Sequence, residues 1–193
     1  MALRIVEGWR GLDARLRGAA LALGEFDGVH LGHRAVIALA ADAARAAAAP
    51  LGVISFEPHP RRYFVPDSEP FELTTRGQQA RALEALGADL LYVLPFDVTL
   101  AEMTDEAFAR EVLAQGLGAR HVAAGFDVTF GKDRTGDPAA LERYGAAFGF
   151  SVSIAPRLGD AEAAKFSSTA IRDALKAGDP GRAAEILGRP FAI

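Results

Sequence analysis

The chain of 193 residues contains no cysteine. That absence removes disulfides, thiolate nucleophiles and cysteine-ligated zinc together, and it suits a reducing compartment. Positive charge is also in short supply: 21 Lys and Arg stand against 25 Asp and Glu, a formal net charge of −4. No broad basic field follows, so nucleic acid is not an expected partner. Long apolar runs are missing too. The Ala-rich stretch AVIALAADAARAAAAP carries Asp42 and Arg45 and reads as a helix ending before Pro50, not as a membrane span. The first twenty residues hold no continuous apolar segment of the secretory kind. The expectation is a cytoplasmic protein with no membrane association. Its oligomeric state is not legible.

Half of the residues are hydrophobic, so a packed globular domain is expected. Apolar strand candidates at Ala19–Gly24, Leu51–Phe56, Asp89–Leu94, His121–Ala124 and Phe150–Ala155 alternate with helix candidates. The helices run roughly over Gly32–Ala48, Gly77–Leu86, Asp105–Gln115, Pro138–Phe148 and Ser168–Ala177. Asp105 and Asp137 are candidate N-caps, and Pro138 suits a first helical position. Strands such as LLYVL and LGVISF are apolar almost throughout, as in a sheet covered on both faces. The reading is α/β: a Rossmann-like open parallel sheet flanked by helices. The N-terminal stretch RIVEGWRGLDARLR intersperses acids with arginines and reads as a solvated surface segment. The last segment, GDPGRAAEILGRPFAI, reads as a short helix and an extended tail. Two long connections, Glu57–Arg76 and Gly125–Asp137, leave the C-terminal ends of strands. That is the edge where open α/β sheets bind ligands, and loops of such length are commonly functional.

The densest chemistry lies in LALGEFDGVHLGHRAVIALA, Leu21–Ala40. Glycines at 24, 28 and 32 let the backbone turn sharply and approach a ligand. The helix that follows offers free N–H groups and a positive dipole end to an anion. No Gly-Lys-Ser/Thr follows, so this is not a Walker loop, and it is not the G-x-G-x-x-G dinucleotide fingerprint. His30 and His33 share a face of the first helical turn. A cation there opposes the helix dipole, so both imidazoles favour the neutral form. Each still offers an N–H to a phosphate oxygen.

GEFDGVHLGH resembles the G-x-F-D-x-x-H-x-G-H signature of the nucleotidyltransferase superfamily. FEPHP (Phe56–Pro60), GFDVTFGKDRTGD (Gly125–Asp137) and SSTAIR (Ser167–Arg172) narrow the resemblance to the bacterial FAD synthetase family, specifically its N-terminal adenylyltransferase domain. The resemblance implies transfer of AMP from ATP to FMN with magnesium, giving FAD and pyrophosphate by direct in-line attack. It implies a catalytic set of His30, His33 and Arg172. ATP would be met by Gly24, Phe26, Asp27, Gly32, Ser167, Ser168 and Thr169. FMN would be met by His59, Phe64, Asp127, Phe130 and Arg134, with Phe56 and Phe126 as further candidates for a flavin slot. Asp27 either contacts magnesium through water or stabilises the turn; no protein-held metal site is expected.

Three positions depart from the family's pattern: Glu25, Gln79 and Val128. A carboxylate at 25 repels a triphosphate unless it points away or helps bind magnesium. The departures leave two alternatives open, a non-catalytic flavin or nucleotide binder and a transferase with another phosphate acceptor. By resemblance, residues 1–187 form the adenylyltransferase domain. Residues 188–193 fall where a riboflavin kinase domain would begin, and kinase activity is not expected from this chain.

Overall fold

The computed structural model describes residues 2–157 and 166–191. Its elements follow in chain order: β1 (Arg4–Glu7), β2 (Ala20–Leu23), α1 (Leu31–Ala46), β3 (Leu51–Glu57), α2 (Pro60–Phe64), α3 (Arg76–Ala85), β4 (Leu90–Pro95), α4 (Val98–Ala101) and α5 (Asp105–Ala107). A π-helical stretch, Phe108–Gly116, continues α5; then come β5 (His121–Gly125), α6 (Pro138–Phe148), β6 (Ser151–Ala155), α7 (Ser168–Lys176) and α8 (Pro180–Leu187). The six strands form one sheet in the order β1-β4-β3-β2-β5-β6, and every pairing is parallel.

Alternation along each strand splits the core in two. Leu21, Leu23, Ile54, Tyr92 and Leu94 point to one face, where Phe108, Leu113 and Leu141 cover them. Ala20, Ala22, Val53, Leu91 and Val93 point to the other, under Val36, Ile37 and Leu83 of α1 and α3. Alanines on β2 let α1 lie close. On β3, an added Cβ at Gly52 would sit 2.7 Å from Tyr92 and 2.8 Å from Leu21, so only glycine fits there. A third, smaller cluster joins α7 and α8 through Ile171, Ala183, Ile186 and Leu187, with Leu73.

The all-parallel α/β reading holds, with differences in detail. The N-terminal segment is not a solvated arm. Arg4–Glu7 adds an edge strand beside β4, and Trp9 is only 3 % exposed. A four-residue edge strand with one buried side chain, Val6, carries too little alternation to stand out. Thr104, not Asp105, caps α5; its hydroxyl accepts the Ala107 N–H, and Asp105 becomes the first helical residue. Asp137 caps α6 as expected, with Pro138 next to it. The Glu57–Arg76 connection contains the short helix α2, and Gly125–Asp137 closes on itself through an antiparallel bridge between Phe130 and Gly136. The segment after Asp179 forms α8.

Candidate active site

β2 is the centre of the divergence in strand order. β3 and β4 lie to one side of it, and β5 and β6 to the other. Ligands of open α/β sheets lie at such a switch point, outside the carboxyl ends of the strands. The loop Gly24–His30 crosses that point. Phe26 (φ 52°) and Val29 (φ 46°) adopt the left-handed conformation there, as does Gly28 (φ 85°). For non-glycine residues this costs about 1–3 kcal/mol each, and it persists only where the surroundings over-determine it.

Here the surroundings do. The Asp27 carboxylate accepts the backbone N–H groups of Leu73 (2.8 Å) and Thr74 (3.2 Å) and pairs with Arg172 Nη2 at 2.6 Å. Ser168 Oγ donates to the Asp27 carbonyl at 2.8 Å, and Arg189 Nη2 to the Gly28 carbonyl at 2.9 Å. Gln79, buried on α3, donates its amide to the Glu25 carbonyl at 3.1 Å while Ser55 Oγ reaches its Oε1 at 3.4 Å.

The loop divides two cavities, and its residues face them in turn. Gly24 and Phe26 line the first, of about 260 Å³; Glu25 and Asp27 line the second, of about 320 Å³. Two helix starts meet at the first. At α1, His30 is the N-cap, and its Nδ1 accepts the His33 N–H at 3.3 Å. The two imidazoles stack with centroids 3.5 Å apart, and the Phe26 ring meets His33 edge-on at 5.1 Å. His33 Nδ1 is buried and has no hydrogen-bond partner among the described residues. Desolvation holds this imidazole well below its ordinary pKa, and the neighbouring His30 pushes the same way. At α7, Ser167 caps the helix and accepts the Ala170 N–H at 3.2 Å. The helix starts can approach because Gly32 lacks a side chain: an added Cβ would lie 3.0 Å from the Phe166 carbonyl. The opposite wall is Gly125–Val128 after β5 and Ala155–Arg157 after β6.

The second cavity lies over the ends of β3 and β4. His59 caps α2; its Nδ1 accepts the Arg61 N–H at 3.0 Å, and its Nε2 lies 2.6 Å from Glu25 Oε2. Its ring stands edge-on against Phe71 at 4.9 Å.

Of the residues implicated by the motifs, Gly24, Phe26, His30, Gly32, His33, Asp127, Ser167 and Ser168 surround the first cavity, with Phe126. Asp27, His59 and Phe56 border the second. Arg172 lies in the second turn of α7, not the first, and lines neither; its guanidinium is spent on Asp27 and the Phe71 carbonyl (2.7 Å). Thr169 is exposed. Phe130 is only 8 % exposed and packs on Phe108 in the core. Phe64 is exposed on α2, edge-on to Tyr63 and Phe96. Arg134 is exposed on the turn Lys132–Arg134. Glu25 faces away from the first cavity. Three contributors escaped the motif reading: Arg157, Ser55 and Arg189. For Arg157 the usable signal is its place just after the last parallel strand.

Among the described residues, no group of three or more His, Asp or Glu side chains is arranged to hold a metal. Among the described residues, Asp127 is the one carboxylate on the first cavity, alongside the hydroxyls of Ser167 and Ser168. That donor set fits a magnesium ion carried mainly by substrate phosphates, not one caged by protein. Nor is any helix among these residues long and apolar enough to cross a membrane.

The sheet and its switch-point cavity place the molecule among nucleotidyltransferase-like α/β proteins. A Francisella tularensis pantoate-beta-alanine ligase shares the fold at a TM-score of 0.53 and 12 % identity, over 96 % of this chain and 86 % of that one. A Streptococcus pneumoniae structure titled macrolide-efflux protein superposes at a TM-score of 0.83 and 28 % identity, over 99 % of this chain and 61 % of that one. The model of the FAD synthetase family matches residues 12–170. Relatives named bifunctional riboflavin kinase/FMN adenylyltransferase include those of Pseudomonas fluorescens, 37 % identical, and Haemophilus influenzae, 35 % identical. Each aligns over 99 % of this chain, which spans 61 % and 62 % of their respective lengths. This chain belongs to the FAD synthetase family.

Proposed function

We propose that this chain is the adenylyltransferase unit of an FAD synthetase, over residues 1–187, transferring AMP from ATP to FMN. A non-bridging oxygen of the FMN phosphate attacks the α-phosphorus of ATP. The new P–O bond forms as the bond to the β-phosphate oxygen breaks, and pyrophosphate leaves with that electron pair. Such transfers need positioning and charge stabilisation more than covalent chemistry. The observation that carries the reading is the convergence of two helix starts, one bearing stacked imidazoles and one bearing hydroxyls, on a single cavity.

The triphosphate lies in the first cavity. Desolvation keeps His33 neutral, so it meets the nucleotide from the cavity wall as an uncharged hydrogen-bonding group. Arg157 and the Ser167 hydroxyl face the same anion, while the Ser168 hydroxyl holds the loop through the Asp27 carbonyl. Asp127 would help hold a magnesium ion carried by the substrate phosphates, which would neutralise part of their charge. Arg172 positions the loop through Asp27. FMN presents its phosphate from the second cavity, across the loop, with His59 as the donor facing it.

The test is incubation with FMN and Mg·ATP, reading FAD and pyrophosphate. Stoichiometric formation of both supports the reading. Folded protein at high concentration that yields neither refutes it. A transferase with another acceptor would turn over a different phosphate in a panel with labelled ATP. A binder without catalysis would bind FMN or FAD with no turnover and change little on His33→Ala.

A further inference from the structure

The basic side chains lining the second cavity already have internal oxygens as partners. Arg62 Nη1 donates to the Pro66 carbonyl at 3.1 Å and to the Ser68 carbonyl. Arg76 pairs with Glu7 at 3.0 Å and with Glu57. His59 reaches Glu25. The last pair differs in kind, because its acid belongs to the loop that divides the two cavities.

The chemistry of His59 is set by its backbone neighbour. The Arg61 N–H donates to Nδ1, so that nitrogen is an acceptor and the ring proton of the neutral imidazole sits on Nε2. His59 therefore presents one N–H to the cavity, and the Glu25 carboxylate takes it at 2.6 Å. A phosphate monoester oxygen would need that same donor at nearly the same distance. The Glu25 side chain is 47 % exposed, so water screens the pair and the carboxylate can leave for solvent. Asp27, by contrast, is buried and tied to Arg172 and is not available for such an exchange.

We propose that Glu25 is an internal stand-in for a substrate phosphate: a phosphate monoester enters the second cavity by displacing this carboxylate from His59, and Glu25 thereby sets the affinity for that class of acceptor. The proposal rests on the reading that FMN approaches through this cavity.

The test compares FMN with riboflavin, which lacks the phosphate, by flavin fluorescence titration of the full chain. The proteins are the wild type, Glu25→Gln, Glu25→Ala and Glu25→Gln/His59→Ala, each checked by thermal melting. FMN should bind about fivefold more tightly in both single variants, since removing a screened internal competitor releases no more than a surface pair is worth. Riboflavin affinity should stay within about twofold, and the double variant should lose the gain. An unchanged FMN affinity, or FMN and riboflavin moving together, overturns the proposal. If the wild type binds neither flavin and makes no FAD, the flavin reading itself fails. Inorganic phosphate then decides, through the His59 imidazole NMR signal. A signal moving at lower phosphate in Glu25→Gln than in the wild type upholds the stand-in; equal response overturns it.

Discussion

Asp27 and His33 sit on opposite sides of one short loop and illustrate two uses of a titratable group. Asp27 is buried and fully committed: two N–H groups, a hydroxyl and a guanidinium converge on it. Removing one member of such a pair leaves the other charge uncompensated. Arg172→Ala should therefore cost about 3 kcal/mol of stability in urea unfolding. Arg172→Lys should recover only part of it, because an ammonium lacks the planar fork that spans both Asp27 and the Phe71 carbonyl. An Arg172→Ala protein as stable as the wild type would show that Asp27 is satisfied without it.

His33 is half-buried on the cavity wall, and among the described residues its Nδ1 has no hydrogen-bond partner. Its alanine variant should lose about a hundredfold in kcat for FAD formation, the scale of a lost preorganised donor, with little loss of stability. Its depressed pKa also has a stability consequence. The folded state resists protonation, so acidification favours the unfolded chain. The contribution is complete above the ordinary value of 6.5 and is lost as pH falls below it. His121, desolvated at the start of β5, acts in the same direction. Urea midpoints between pH 8 and 5 should decline with acid, and His33→Gln with His121→Gln should flatten that decline.

At the level of elements, the site depends on how closely α1 and α7 begin to one another. Gly32 sets that distance, because the Phe166 carbonyl occupies the space a side chain would need. Gly32→Ala should raise the KM for ATP several-fold, and Gly32→Val more, with the FMN KM less affected; steady-state kinetics with each substrate varied in turn checks this. Equal KM values for ATP would mean that the helix starts have slack. Gln79 works in the same way from α3. Its amide holds the Glu25 carbonyl, next to the left-handed Phe26, so a residue marked by its departure from the family's pattern is a support of the loop. The two α7 residues foreseen as direct ligands beyond Ser168 turn elsewhere. Thr169 faces solvent and Arg172 faces Asp27. A helix turns about 100° per residue, so a motif read as a linear string does not say which of its members share a face with the site.

Over the whole molecule, the loop rests on the smaller core of α7 and α8. Leu73 and Leu187 crowd Gly28, where an added Cβ would lie 3.0 Å and 3.5 Å from them, and Arg189 reaches the Gly28 carbonyl. Leu187→Ala should cost about 3 kcal/mol by thermal or urea unfolding and should also raise the KM for ATP, although Leu187 lines neither cavity. Loss of stability with an unchanged KM would separate this core from the site.

Period and spacing were enough for the α/β class, five of the six strands, the cap of α6 and the juxtaposition of His30 and His33, because these are short-range properties of the chain. What only the tertiary structure decided are the facts that join distant segments. Trp9 is buried by an edge strand too short to announce itself, and Phe130 fills the core instead of a flavin slot. Glu25 turns from the first cavity to His59, and Arg172 closes on an aspartate 145 positions away. The reason is physical. Local pattern says which residue types a segment carries, whereas a side chain's partner is settled by which groups the packed core brings within 3 Å of it.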